Sequence, residues 1–447
     1  MARQENAKQE IAKQEPTNAL SMYHKLVLGG TAALLVMATG LVSTRTVDAV
    51  DTLGAAGPDV TVITLDSTRN YGASGGIRGY SVGTTSCNIG TEPLWWCDDD
   101  RPYCKDDEHP VIAQNLYRLK DGRFTQIGMS WLKHGFLSLN TPDSDCGNCT
   151  SPPFGGDQLG VGCTDTYGPT LNGSRPLGLR SEVNPADGTF PFPHSEPSIS
   201  TVYDQRMRVD ESDVDPAQNA GAQYWIEGHY IAFDDAAAGN ALNNASYRAV
   251  NVSGNDFDLN VTGPTIRELA AIYAWQAADP EVDILFADVP SDPVERFHVA
   301  RKKTEIKGGF HYEYAIHNMN SDRAARAFTV QFPSATTITE TGFHNVPHHS
   351  GEPYATTDWD VTVDNAAGTV SWSTDTFADD ENANALRWGT MFTFWFDTDN
   401  QTAEPNHSLG LFKEGSPTSI EFAFIDTSIF IDGFESGDIT LWSGSSP

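Results

Sequence analysis

Hydrophobic and polar residues alternate with a period of two through most of this chain, and that pattern predicts strands. Val60-Thr61-Val62-Ile63-Thr64-Leu65 reads as one strand, and residues 77–89 as another that ends near Cys87. The clearest hairpin runs from Val111 to Leu139 and turns at Lys120-Asp121-Gly122-Arg123. Asp-Gly suits a two-residue turn because both central positions need positive φ. Strands are predicted again at 201–209 and 222–233. One helix is expected after Pro264, where Thr265-Ile266-Arg267-Glu268 forms a capping box and Leu269, Ile272, Tyr273 and Ala277 follow at helical spacing. Beyond Pro290-Ser-Asp-Pro293 the pattern is purely β, as in His311–His317 and Ala327–Phe332. Further strands are expected at 336–343, 359–364, 369–374, 390–397 and 419–425, the spacing of an antiparallel sandwich of about seven strands.

The predicted fold class is therefore mainly β: a disulfide-stapled β-rich domain over 50–290, a β-sandwich over 297–425 and a short C-terminal tail over 426–447. Residues 1–49 read as a flexible tail and signal peptide. Lys25 precedes an apolar run from Leu26 to Val42, and Val47-Asp48-Ala49 places small residues where a signal peptidase cuts. The same run approaches the roughly 20 residues of a membrane span, so an uncleaved anchor is the alternative. Gly29, Gly30 and Gly40 favour cleavage after Ala49.

Composition narrows the partners. The 447 residues carry a formal net charge of -32, and such a surface repels a phosphate backbone, which excludes nucleic acid. It favours solubility, divalent cations or saline water. Six cysteines all lie between Cys87 and Cys163. In an exported chain an even set reads as disulfides, and Cys97 with Cys104 would close a small acidic loop. The pairing of Cys87, Cys146, Cys149 and Cys163 stays open, and the spacing Cys146-Gly-Asn-Cys149 also suits a zinc thiolate site.

Candidate chemistry is sparse. The chain has no H-E-x-x-H, Walker A loop or haem motif, and no catalytic residue is assigned. His344, His348, His349 and Glu352 gather three imidazoles and a carboxylate within nine residues; zinc or copper would suit them, and an exposed polar loop is the plain alternative. Asp256, Asp258 and Asn260 begin like a calcium loop, but Val261 and Arg267 stand where Gly and Glu are required. Only open calcium coordination is left there. His311 and Glu313 share a strand face. Lys133 and His134 face opposite sides of a strand, and His134 reads as a core or edge residue. Trp95 and Trp96 sit beside the acidic cysteine loop, where one would be core and the other exposed for stacking on a sugar, consistent with cell-surface or polysaccharide association.

The ending Gly433-Phe-Glu-Ser-Gly-Asp438 resembles the short GFESGD-type tails of many exported bacterial proteins. The segments HPVIAQNLYRL (109–119), GMSWLKHGF (128–136), GNALNNASYR (239–248) and ANALRWGTMFTFWFD (383–397) resemble a group of such proteins of unassigned function. The resemblance implies secretion and a two-part architecture; it supplies no activity. Two functions follow: a secreted or cell-surface protein with a binding or structural role, or a secreted zinc or copper enzyme using His344–Glu352.

Overall fold

A computed structural model describes residues 56–174, 177–400 and 404–424, all within one compact unit. The readings of the signal peptide and of the C-terminal tail lie outside the described residues. Among the described residues no helix is long and apolar enough to cross a membrane.

The protein is mainly β, and every strand pairing is antiparallel. The first sheet has 11 strands. At its centre Gln223–Ile231, Val111–Lys120 and Arg123–Met129 lie side by side, followed by Met207–Asp210 and Ile77–Asn88. The Asp-Gly hairpin forms as its pattern predicts, with Lys120 opposite Arg123 and Asp121 at φ 52°. The expected strand at 201–209 is shorter, Met207–Asp210.

Two five-stranded sheets follow. One joins Val282–Val289, Glu295–Ile306, Gly309–Asn318, Met391–Thr398 and Ile338–His344; the other joins Asp360–Asp364, Thr369–Ser373, Ala325–Gln331, Asn406–Leu411 and Ser419–Phe422. Their inner faces share one core, in which Tyr312, Tyr314, Phe394 and Phe396 meet Phe328, Val330, Trp372 and Leu409. This is the predicted sandwich, with ten strands in place of seven. Val282–Val289, Glu295–Ile306 and Asn406–Leu411 escaped the sequence reading because charged or glycine positions interrupt their alternation.

Two readings need correction. Residues 290–293 do not separate domains: Val289 pairs with Glu295, so this segment is the turn of a hairpin inside the second sheet. Pro and Ser serve a tight turn as well as a linker. The helix is Tyr273–Ala278 alone. Thr265 Oγ1 accepts from the Leu65 amide, Ile266 bridges to Tyr247, and Glu268 has φ 59°, so sheet contacts displace the local cap.

The first sheet and the sandwich are joined by a shared core and by polar bonds. Tyr117, Phe124 and Trp225 pack in the same cluster as Trp275, Ala300, Ala315 and Met391. Gln126 donates to Gly389 O at 3.1 Å and accepts from the Met391 amide at 2.7 Å, and Arg123 forks onto Glu313.

Candidate functional site

The disulfides shape the first sheet's loop lobe. Cys97 joins Cys104 as predicted, while Cys87 joins Cys146 and Cys149 joins Cys163. The thiols at 146 and 149 therefore serve two different bridges and form no zinc site. Between this lobe and the short strand Lys133–His134 lies a cavity of about 310 Å³. Asp98, His109, Lys133, His134, Phe136, Tyr167, Leu171, Leu177, Phe192, His194 and Glu196 line it.

Each polar group reaches the cavity for a local reason. Lys133–His134 pairs with Val111–Ile112, and Gly135 N bonds Pro110 O, so the strand end holds His134 beside His109. Leu132 and Gly178 exchange backbone bonds at 2.9 and 3.0 Å, which brings the 177–196 segment over the strand. A Cβ at Gly178 would stand 2.4 Å from His134 Nε2; the glycine makes room for the ring. Trp96, wholly buried, donates to Tyr167 Oη at 3.1 Å, and that hydroxyl also binds both Phe136 N and Phe136 O. This pins Tyr167 as one wall.

The histidines form a relay. His109 Nδ1 lies 2.7 Å from Cys97 O, and His109 Nε2 lies 2.9 Å from His134 Nδ1. A carbonyl only accepts, so His109 Nδ1 carries the proton. Burial pushes His109 down to about 4 and His134 down to about 2, so both rings are neutral at pH 7. His109 Nε2 must then accept, His134 Nδ1 must donate, and His134 Nε2 keeps a free lone pair. His194 stacks on His134, centroids 3.7 Å apart and planes 4° apart. Neither His194 nitrogen makes a hydrogen bond; Glu196 is 3.9 Å away.

Lys133 is 2 % exposed and donates only to backbone carbonyls, Val82 O at 3.1 Å and Tyr167 O at 3.5 Å. Burial lowers its amine to about 7, with Asp66 pulling weakly the other way. The sequence reading sent Lys133 and His134 to opposite faces; the tertiary fold closes loops over both, and both border one cavity.

His109 ties the cavity to stability. Its folded value of about 4 lies below the ordinary 6.5, so between those values the unfolded chain binds more protons. Its contribution is complete above about pH 6.5 and falls by about 3 kcal/mol as pH drops to 4. The variant His109→Gln is expected to lose stability less steeply over that window in urea titrations. Parallel slopes for variant and parent would contradict this.

The residues singled out from sequence take other places. His344 Nε2 donates to Gln126 O at 3.2 Å, and His349 Nε2 sits 2.9 Å from the carbonyls of Tyr203 and Arg206. His348 lies against the Tyr354 ring, and Glu352 accepts from the amides of Arg180 and Ser181 at 2.7 and 3.1 Å. His344, His349 and Glu352 bond to separate partners, His348 Nε2 is buried without a hydrogen bond, and the expected metal cluster does not assemble. Among the described residues no group of three His, Cys, Asp or Glu is placed to hold a metal ion. Asp258, from the calcium-like run, accepts from Asn70 at 2.7 Å. His311 does meet Glu313 at 3.0 Å, and Asp397 at 2.6 Å holds its other nitrogen.

Trp96 is buried core and offers no stacking face. Trp95 is half-buried and stacks with Phe154 and Tyr103, which are 40 % and 41 % exposed. His109, His194, Asp98 and Glu196 were missed in the sequence because they come from two segments, 98–109 and 194–196, far apart along the chain. His109 and His134 do fall in two of the segments that carry the resemblance.

The chain matches no family model and no curated protein. Among solved structures it is similar to a serine-rich repeat protein (Srr2) of Streptococcus agalactiae, at 9 % identity and a TM-score of 0.21, over 84 % of this chain and 94 % of that one. A likeness of that size carries no argument.

Proposed function

We propose that this is an exported binding protein of the cell surface or its surroundings, and that its ligand is a small molecule held in the His109–His134–His194 cavity. The observation that carries the reading is a cavity wall of polar groups whose hydrogen-bonding capacity the protein does not fully use. Both nitrogens of His194 lack hydrogen bonds, and Lys133 has no carboxylate in contact. Unpaired buried polar groups cost about 1–3 kcal/mol each, and a ligand's own donors and acceptors would offset that cost. Leu171, Leu177, Phe136 and Phe192 supply the apolar share of the wall, the mixture found in small-molecule sites. Three disulfides suit an oxidising compartment.

Trp95, Tyr103 and Phe154 extend the reading to saccharides. They form a partly exposed aromatic cluster on the lobe that supplies Asp98 and His109, and pyranose rings pack on such faces.

The test fills the cavity. Leu171→Trp should leave a cooperative melt and occupy the site. Ligand-observed nuclear magnetic resonance with monosaccharides, small carboxylates and aromatic alcohols should show at least one class that binds the parent and not the variant. Equal binding to both, or binding to neither, would overturn the assignment.

A further inference from the structure

Lys133 differs in setting from several of the other buried or half-buried cations among the described residues. Arg78, Arg118, Arg123, Arg296 and Arg301 each contact a carboxylate. Lys133 is as buried as any of them, yet its Nζ meets two main-chain oxygens and borders a cavity. A neutral amine has two N–H groups and one lone pair. Val82 O and Tyr167 O accept the two hydrogens, which leaves the lone pair as the unengaged valence.

We infer that Lys133 is a nucleophilic amine that condenses with aldehyde-bearing ligands in this cavity to form an imine. The inference rests on the binding reading and adds the chemical class of ligand. In the condensation the Nζ lone pair attacks the carbonyl carbon and a C–N bond forms. The carbonyl oxygen then leaves as water, taking both amine hydrogens, and a C=N bond remains. The protons pass from nitrogen to the departing oxygen as the carbinolamine collapses. No oxidant or reductant takes part. Burial in apolar surroundings is the general means by which a lysine becomes a nucleophile near neutral pH, and the lowered value at Lys133 agrees with the geometry.

The probe is glycolaldehyde with sodium cyanoborohydride, which reduces an imine to a stable secondary amine. The full-length protein is treated at pH 7 and mapped by peptide mass spectrometry. Lys133 should gain the hydroxyethyl mass at least tenfold faster than exposed lysines such as Lys105. Its rate should rise with a midpoint near pH 7, following loss of the amine proton. Comparing lysines within one protein needs no variant, so folding defects do not enter. Lys133→Met should abolish that label and leave labelling of Lys105 unchanged. Labelling of Lys133 no faster than Lys105, or only after denaturation, overturns the inference. If fragments still bind the parent and not Leu171→Trp, only the imine chemistry fails; if none binds, the cavity reading fails with it.

Discussion

Replacing Arg180 with alanine is expected to cost about 3–5 kcal/mol of folding stability. The side chain is 5 % exposed, and its guanidinium spans both parts of the molecule. Nε donates to Ser130 O at 2.8 Å, and Nη2 donates to Gln114 O and Asn115 Oδ1 at 3.0 and 2.9 Å. Nη1 reaches Gly389 O at 3.2 Å, in the loop that enters the sandwich strand Met391–Thr398. The backbone of the same residue is held by Glu352, and its carbonyl accepts from Trp388 Nε1 at 3.1 Å. Alanine would strand Ser130 O and Asn115 Oδ1 and would take one of two donors from Gln114 O and Gly389 O. Arg180→Lys would rescue little, because an ammonium cannot reproduce the planar fork. Urea unfolding measures the effect, and a loss below about 1 kcal/mol would show that water replaces the guanidinium without penalty.

Adjacent tryptophans should behave in opposite ways. Trp96→Ala is expected to cost about 3–5 kcal/mol, since it empties a wholly buried site. It also removes the donor to Tyr167 Oη and loosens one wall of the cavity. Trp95→Ala should cost less than about 1.5 kcal/mol, the extra worth of an aromatic pair beyond its area, because the ring is half-buried beside exposed Phe154 and Tyr103. Thermal unfolding of the two variants decides this. Equal losses would mean that the outer aromatic cluster is part of the core and not a surface for ligands.

Local patterning was sufficient for much of the fold. Asp121-Gly122 sets its hairpin because the turn's conformation depends on those two residues and few others. The alternation at His311–His317 and Ala327–Phe332 identified strands whose inward residues now build one sandwich core. Cys97 and Cys104 find each other because only a short loop separates them. The same local logic failed where distant contacts outweigh a local preference. The capping box at 265–268 is overruled by Leu65 and Tyr247. The run 344–352 looks like a ligand set in sequence, but its residues turn to Gln126, Tyr203, Arg206 and Arg180.

By itself the sequence determined the β character of the chain, the turns and the acidic surface, since these follow from residue type and periodicity. Only the tertiary structure decided the site. His109, His134 and His194 come from three separated segments, and their meeting depends on a hairpin, a bridge at Gly178 and a disulfide-closed lobe. Their neutrality and the lowered proton affinity of Lys133 come from burial. Burial belongs to the packed molecule, so no reading of residue order could have supplied it.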